Sequence, residues 1–341
     1  MSDDRILLSH GDGGQLTADL VARVFVSRLG TGEPAGDDSA RVSTTGWEPV
    51  PRDRLVFTTD AFVVDPIFFP GGDIGRLAVC GTVNDLAAAG AIPISLSASF
   101  ILEEGLPISD LERIVDSMAA AAQEADVRVI CGDTKVVPRA KADKLYISTS
   151  GVGEVPAGIS VSGANAQPGD AVIVSGPVGD HGLAVLSRRE GLEFESEIVS
   201  DCAPLADMVQ HLLAAVPRVH AMRDPTRGGL ATALNEIARQ SGVEIEVDEA
   251  AVPIRPAVLA ACDLLGLDPL YAANEGKMIV IVPADQAQPA LAVLRSHALG
   301  KEAALIGQVQ AGKPGRVLLR TALGSHRILD RHVGEQMPRI C

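Results

Sequence analysis

The chain has 341 residues, of which 47% are apolar and 3% aromatic, and it carries a formal net charge of −15 at pH 7. This length predicts about two domains of roughly 150 residues each, with cores built from aliphatic side chains. The negative charge argues against nucleic acid or an anionic membrane as the main partner. A nucleotide is compatible with it, because Mg²⁺ bridges phosphates to carboxylates.

Residues 1–35 form a leader with a glycine-rich segment and a helix predicted over 16–29. The glycine-rich segment, residues 10–14, reads His-Gly-Asp-Gly-Gly. Glycines allow the backbone to approach a phosphate closely, so Gly13 and Gly14 are candidate nucleotide contacts. A flexible leader explains the same residues equally well.

The first predicted domain covers residues 36–153 and combines strands with two helices. The second helix opens with a capping box, Ser109 to Glu112. An apolar stretch over residues 79–91 contains Asn84 and Asp85, and a carboxylate there is costly to bury unless it is paired or binds a cation. Strands are predicted over 55–60, 94–102, 127–131 and 145–153, and helices over 73–89 and 109–125.

Acidic side chains recur at unusual places in this domain. Each one, taken alone, is explained by a turn or a helix cap. Converging carboxylates would repel one another and raise their pKa values, whereas a divalent cation with a polyphosphate would neutralise them. The pattern favours metal–nucleotide binding by Asp38, Asp60, Asp85 and Asp133.

Lys135 follows Asp133 by two residues. Its charge can neutralise a phosphate or a developing oxyanion. An ordinary surface lysine is the alternative.

The second predicted domain covers residues 165–329 and follows a boundary segment, 154–170, that is rich in proline and glycine. Asp224 precedes a predicted helix over 230–241, where it joins the acidic cluster across the domain cleft or caps the helix. Glu275 lies between Asn274 and Gly276 at the start of a predicted strand. It is a candidate general base or a turn residue.

The five cysteines, an odd number without a CxxC pair, favour a reducing cytoplasm and no structural zinc. The first residues, Met-Ser-Asp-Asp-Arg, lack the features of a signal peptide. Apolar neighbours predict burial of three cysteines as small hydrophobes, while Cys202 precedes a helix, a position that can lower a thiol pKa. The three are Cys80, Cys131 and Cys262.

Residues 330–341 are predicted to be a mobile tail that carries a thiol, Cys341, at its tip. Gly334 and Pro338 disfavour a helix, and no apolar alternation indicates a strand. Chain ends are often disordered, so an incidental cysteine is the alternative.

Taken together, the motifs at residues 10–14, 36–38, 59–60, 83–85, 132–136, 224–229 and 274–276 resemble the PurM-like ATP-binding superfamily. The terminal Pro-Arg-Ile-Cys resembles, within it, the HypE family of hydrogenase maturation carbamoyl dehydratases. Asp12 stands where the family pattern has a small residue. The resemblance implies a mixed α/β and α+β fold, with an N-terminal sheet that pairs across a homodimer and a C-terminal α+β domain.

The resemblance also implies a reaction. A HypF-type carbamoyltransferase would load Cys341 with a carbamoyl group. ATP and Mg²⁺ would then drive its dehydration to a protein thiocyanate. The thiocyanate would supply cyanide for nickel–iron hydrogenase, by way of a HypC–HypD iron scaffold complex. Glu275 would take the proton from nitrogen, and Lys135 would stabilise charge on the oxygen or phosphate. Asn84 would contact the nucleotide. The implied Mg²⁺ ligands are Asp38, Asp60, Asp85 and Asp224, with Asp133 as a further candidate.

Two other functions fit the residues. One is a small-molecule kinase or synthetase of the same superfamily, for which the tail would be incidental. The other is a nucleotide-binding assembly scaffold that uses ATP only as a conformational ligand. The sequence leaves open how many Mg²⁺ ions bind and whether the tail serves its own subunit or a neighbour.

Overall fold

The computed structural model describes residues 5–11, 15–29, 54–192, 198–331, 337 and 340–341. The predicted site residues Gly13, Gly14 and Asp38 lie outside this part of the chain. Before the first sheet, helices α1 (Gln15–Leu20) and α2 (Ser27–Leu29) are joined by a π-helical segment.

The first domain is built on a four-stranded sheet. Strand β1 (Leu55–Phe62) forms one edge, followed across the sheet by β6 (Leu145–Glu154), β4 (Ile92–Glu103) and β5 (Arg128–Val137). The β4–β5 pair is parallel and the other two pairs are antiparallel. A two-stranded ribbon, β2 (Phe68–Phe69) with β3 (Gly72–Asp73), leads into the first long helix.

One face of this sheet is covered by helices α3 (Ile74–Ala88) and α4 (Ile108–Glu124). Side chains alternate along a strand, so Leu96, Ala98 and Phe100 are buried while Ser99 and Ile101 on the opposite face are exposed. The sheet therefore has one covered face and one open face.

Two local predictions for this domain are wrong. The predicted capping box is absent, because α4 begins after Pro107 without a side-chain cap. Cys131 is exposed, because it lies opposite Ser97 on the open face of the sheet. Cys80 and Cys262 are buried as predicted.

The second domain is built on a seven-stranded mixed sheet. Its strands follow one another in the order β13-β12-β9-β11-β7-β10-β8, and the β9–β12 pair is parallel. The strands are β7 (Ala171–Val174), β8 (Ala221–Arg223), β9 (Glu244–Asp248), β10 (Ile279–Val282), β11 (Ala304–Gln310), β12 (Arg316–Arg320) and β13 (His326–Ile328). The helices are α5 (Asp180–Glu190), α6 (Ala206–Ala215), α7 (Gly229–Ser241), α8 (Pro256–Leu265) and α9 (Ala287–Ser296). None of the described helices is both long enough and apolar enough to cross a bilayer.

The two domains share a hydrophobic core. Helix α3 is buried around almost its whole circumference, because it lies between its own sheet and the second domain. Leu77 of this helix and Leu212 of α6 belong to the same cluster of buried side chains. This position explains why α3 is mostly apolar around its circumference and not amphipathic.

The amide of Asn84 joins the domains at the buried side of α3. Its Nδ2 donates to the carbonyl oxygens of Ala203 and Glu275, both at 3.1 Å, and its Oδ1 accepts from the Leu205 amide at 2.8 Å. Both polar atoms of the amide are thus occupied and the residue is 1% exposed. Asn84 therefore has a structural role between the domains, and its contact with the nucleotide stays a prediction.

Replacing Asn84 with alanine should destabilise the protein strongly. The change leaves buried backbone groups of the second domain without a partner, for a loss of about 3 kcal/mol in the free energy of unfolding. Urea unfolding measures the difference. The control is Asn165→Ala, which removes one bond from an exposed setting, to the Ser160 carbonyl. Equal stability of the two variants would show that the bridge contributes nothing.

Candidate active site at the domain junction

Three of the predicted acidic residues meet where the domains join. Asp60 lies on β1, Asp85 on α3, and Asp224 directly after β8. Burial raises the pKa of Asp85, and the charge of Asp60 raises it further. Burial and the negative charge of Asp85 raise the pKa of Asp224 to about 7. The three carboxylates therefore act on one another.

The local structure explains why Asp60 and Asp85 face each other. Thr58 and Asp60 are two residues apart on β1, so both side chains point to the face covered by α3. Thr58 Oγ1 donates to Asp85 Oδ2 at 2.8 Å. Burial raises the pKa of Asp60, and its bond from the Ala61 amide lowers it in part.

Glu275 extends this acidic group into the interior of the second domain. It is 3% exposed. Burial raises its pKa well above the ordinary value, with further increases from the charges of Asp224, Asp201 and Asp60. A carboxyl group in this setting holds its proton at a pH where an exposed glutamate is ionised.

The C-terminal thiol lies at the same place, within its own chain. Burial raises the pKa of Cys341 to about 12, the charges of Glu275 and Asp60 act in the same direction, and Arg227 opposes them. The Val63 amide donates to the Cys341 carbonyl oxygen at 3.1 Å. The structure thus brings Cys341, Glu275 and the aspartates together.

The described part of the tail is packed in this structure, and the predicted mobility of the tail stays a prediction. Met337 and Ile340 are 9% and 4% exposed and belong to the main hydrophobic cluster. Isolated apolar residues without periodicity gave no sign of a packing surface, because the complementary pocket is formed by other parts of the chain.

Asp133 and Lys135 do not join this group within one chain. They form an exposed ion pair at 2.9 Å, which lowers the pKa of Asp133. Both side chains point to the open face of the sheet. Across the sheet, Asp60 lies level with Gly132, three strand spacings or roughly 14 Å away. The sequence could not give the strand order that separates them.

Cys202 also differs from its prediction. A bond with the Cys80 thiol and burial raise its pKa well above the ordinary value. The predicted lowering by the following helix is therefore wrong, since burial between two domains outweighs it.

A buried ion pair, which the sequence analysis missed, supports the turn at Glu275. Lys277 Nζ lies 3.0 Å from Asp201 Oδ2, and the amide of Glu275 donates to Asp201 Oδ1 at 3.1 Å. A Cβ at Gly276 would overlap the Asp201 carbonyl oxygen. The Asn-Glu-Gly sequence indicated a tight turn, but it gave no sign that Asp201 is the residue that holds the turn in place.

The donor set of the acidic cluster fits Mg²⁺. Carboxylate oxygens are the ligands this ion prefers, and it usually keeps several waters and binds phosphates as well. In the described part of the chain, the carboxylate oxygens of Asp60, Asp85 and Asp224 do not all lie within 4.8 Å of one another. On the surface, the possible ligand atoms of Asp207, His211 and His297 do lie that close together. Direct binding of one ion by all three carboxylates would therefore require them to move closer together.

Comparison with known proteins identifies the family. The AIR synthase related protein family matches with its N-terminal domain over residues 36–155 and its C-terminal domain over 167–320. The chain is 54% identical to the carbamoyl dehydratase HypE of Cupriavidus necator over 339 residues, 99% of this chain and 95% of that one. The chain belongs to the HypE family of carbamoyl dehydratases.

Solved structures of the same family have the same fold. A HypE crystallised in complex with ATP superposes with a TM-score of 0.91 at 50% identity, covering 98% of this chain and 99% of that one. A HypE from a HypE–HypF complex gives 0.80 at 45% identity, over 94% and 100%. Asp60 and Asp85 belong to the first family domain, and Asp224 and Glu275 to the second.

Replacing Glu275 with glutamine should reduce the loss of folding stability that accompanies a rise in pH. The pKa of Glu275 in the folded protein is raised above the ordinary 4.5, so the folded protein keeps this proton at a pH where the unfolded chain has lost it. The free energy of unfolding therefore falls as pH rises from 4.5 through the folded pKa. The melting temperature of the variant should match wild type near pH 4.5 and exceed it increasingly as pH rises toward the folded pKa of Glu275.

Glu244→Gln is the matched control with the opposite sign. Arg316 lowers the pKa of the buried Glu244, so its contribution is present above the unfolded pKa and lost as pH falls through the folded one. That variant should be less stable than wild type at pH 8 and converge with it in acid. Parallel pH curves for wild type and Glu275→Gln would contradict the raised pKa.

Proposed function

We propose that this protein dehydrates a carbamoyl group carried on its own Cys341 to a thiocyanate, with ATP as the co-substrate. The observation that carries the proposal is the position of the terminal thiol beside Glu275 and the acidic cluster. Membership of a family named for carbamoyl dehydration supports it, as does a related HypE crystallised with ATP.

The chemistry requires an oxygen atom to leave an amide carbon. Phosphorylation by ATP turns the oxygen of the S-carbamoyl group into part of a phosphate, which is a good leaving group. The nitrogen loses two protons, the carbon–oxygen bond breaks, and the sulfur retains a nitrile. ADP and phosphate are the other products, so the elements of water leave with the phosphate.

Glu275 is the proton acceptor in this scheme. A carboxylate whose pKa is raised is a stronger base than an exposed one, so in its ionised form Glu275 would accept a proton from nitrogen more readily. Asp60, Asp85 and Asp224, together with Asp38, would hold Mg²⁺, which supplies charge neutralisation for the phosphates when bound. The glycines of the leader, Gly13 and Gly14, would contact the nucleotide.

Lys135 and Asp133 would reach the site from a second subunit. The described sheet ends in two edge strands, β1 and β5, and has an open face that includes the exposed Phe57 and Ile101. A homodimer that pairs these sheets would cover that face and bring Lys135 of one subunit toward β1 of the other. Within one chain, the roughly 14 Å across the sheet excludes direct action.

The proposed partners follow the course of the carbamoyl group. A HypF-type carbamoyltransferase would load the thiol, supported by the solved HypE–HypF complex. A HypC–HypD iron scaffold complex would receive the cyanide. The five cysteines are free in the structure, in keeping with a cytoplasmic location.

Intact mass should report both steps on Cys341. With a HypF-type transferase, a carbamoyl donor, ATP and Mg²⁺, the chain should gain the mass of one carbamoyl group and then lose that of one water. Cys341→Ala should show neither change, whereas Cys262→Ala, which removes a free thiol of α8, should behave as wild type. ATP consumption with a free metabolite and an unchanged mass would instead indicate a small-molecule kinase or synthetase, and no ATP consumption a scaffold.

Mixed dimers should reveal whether Lys135 acts across the interface. Lys135→Ala and Glu275→Gln should each accept the carbamoyl group and fail to dehydrate it. Coexpressed, they should regain about a quarter of wild-type activity, because half of randomly assembled dimers are mixed and each mixed dimer has one intact site. No recovery in the mixture would place both residues in one subunit's site and contradict the dimer arrangement.

A further inference from the structure

A buried histidine that the proposed reaction does not use contacts the tail. His181 lies in the first turn of α5 and is 0% exposed. Its Nε2 lies 2.6 Å from the Ile340 carbonyl oxygen, and its Nδ1 lies 2.8 Å from Ser200 Oγ. The residue before Cys341 is therefore held by a side chain of the second domain.

The surrounding bonds fix which ring nitrogen carries the proton. A carbonyl oxygen only accepts, so Nε2 must donate to Ile340. Burial lowers the pKa of His181, which favours the neutral ring and leaves Nδ1 as an acceptor for the Ser200 hydroxyl. Ser200 Oγ in turn accepts from the Cys202 amide at 3.1 Å. The chain of bonds from Cys202 through Ser200 thus orients the Nε2–H of His181 toward the tail.

The packing around this bond is also shaped for the tail. The edge of Phe69 contacts the His181 ring at a centroid distance of 5.3 Å and an angle of 90°. One residue after the histidine, Gly182 has no side chain, and a Cβ there would lie 2.8 Å from Met337 Sδ. A residue larger than glycine at position 182 would therefore push against the buried methionine of the tail.

We propose that His181 is a positioning residue that holds the tail in its docked state and so sets Cys341 beside Glu275. Without its N–H donor, docking would bury the Ile340 carbonyl unsatisfied, and the undocked state, in which water satisfies the carbonyl, would gain population. The consequence for dehydration rests on the proposed function; the docking itself does not.

Thiol accessibility in the full-length protein tests the docking directly. His181→Phe keeps a ring of similar shape but removes the donor, while His181→Gln retains an N–H donor at a comparable reach. Without nucleotide or partner, iodoacetamide should modify Cys341 about tenfold faster in the Phe variant than in wild type, with the Gln variant closer to wild type. Peptide mapping gives the rate at Cys341 relative to the thiol of a reference peptide added to the same mixture, and this ratio corrects for reagent concentration.

A second variant guards against a folding defect in the first. Gly182→Ala adds a Cβ 2.8 Å from Met337 Sδ and 3.0 Å from the Ala273 amide nitrogen, and it should also raise the rate of Cys341 modification relative to the reference peptide. Melting temperatures identify a variant that is simply unfolded, in which buried Cys80 and Cys262 would be modified too. Unchanged ratios in the folded variants among His181→Phe and Gly182→Ala would overturn the proposal.

A kinetic measurement separates this proposal from the proposed function. In single-turnover dehydration of the preloaded carbamoyl form, His181→Phe should be slower than wild type while its loading by the transferase is unimpaired. If wild type performs no dehydration yet the modification ratios rise, the proposed function fails and the docking role stands. If wild type dehydrates and His181→Phe matches it in both rate and ratio, the docking role fails and the function stands.

Discussion

The hydrogen bonds of the buried Asn84 amide hold the two domains in one register, and the candidate site depends on that register. The amide contacts the backbone at Ala203, Leu205 and Glu275. The same helix carries Asp85, one residue further on. A single rigid helix therefore supplies both the bridge between the domains and one member of the acidic cluster, so the distance from Asp85 to Glu275 is set by packing of the core.

Burial of negative charge is the second constraint at this junction. Asp60, Asp85, Asp224 and Glu275 all have raised pKa values, and burial is the first cause in each case. Without a cation, protons must neutralise part of this charge, and the pKa of Asp224 at about 7 shows how near the balance lies to neutral pH. A divalent cation and protons compete for the same oxygens, which couples metal binding to proton release.

The docked tail has consequences for how the thiol is loaded. The thiolate is the reactive form of cysteine, and a pKa of about 12 keeps Cys341 protonated while it is docked. A docked thiol is thus a poor acceptor for a carbamoyl group, although it is well placed for a reaction beside Glu275. In the proposed reaction, loading and dehydration would use different positions of the tail, and the contacts of His181, Met337 and Ile340 would set the balance between them.

The sequence by itself determined most elements and the chemical types in the site. Strand and helix patterns follow from apolar periodicity, which is local, so β1, α3, β4, α4, β6 and α7 lie close to their predicted positions. The motifs around Asp60, Asp85, Asp224, Glu275 and Cys341 pointed to an ATP-dependent enzyme of this family. Tertiary structure alone decided which of these residues meet, because that depends on strand order and side-chain direction. Asp133, Lys135 and Cys131 lie on the open face of the sheet because of the strand order. Asn84 bridges the domains, and the tail packs against His181, whose role no local pattern could indicate.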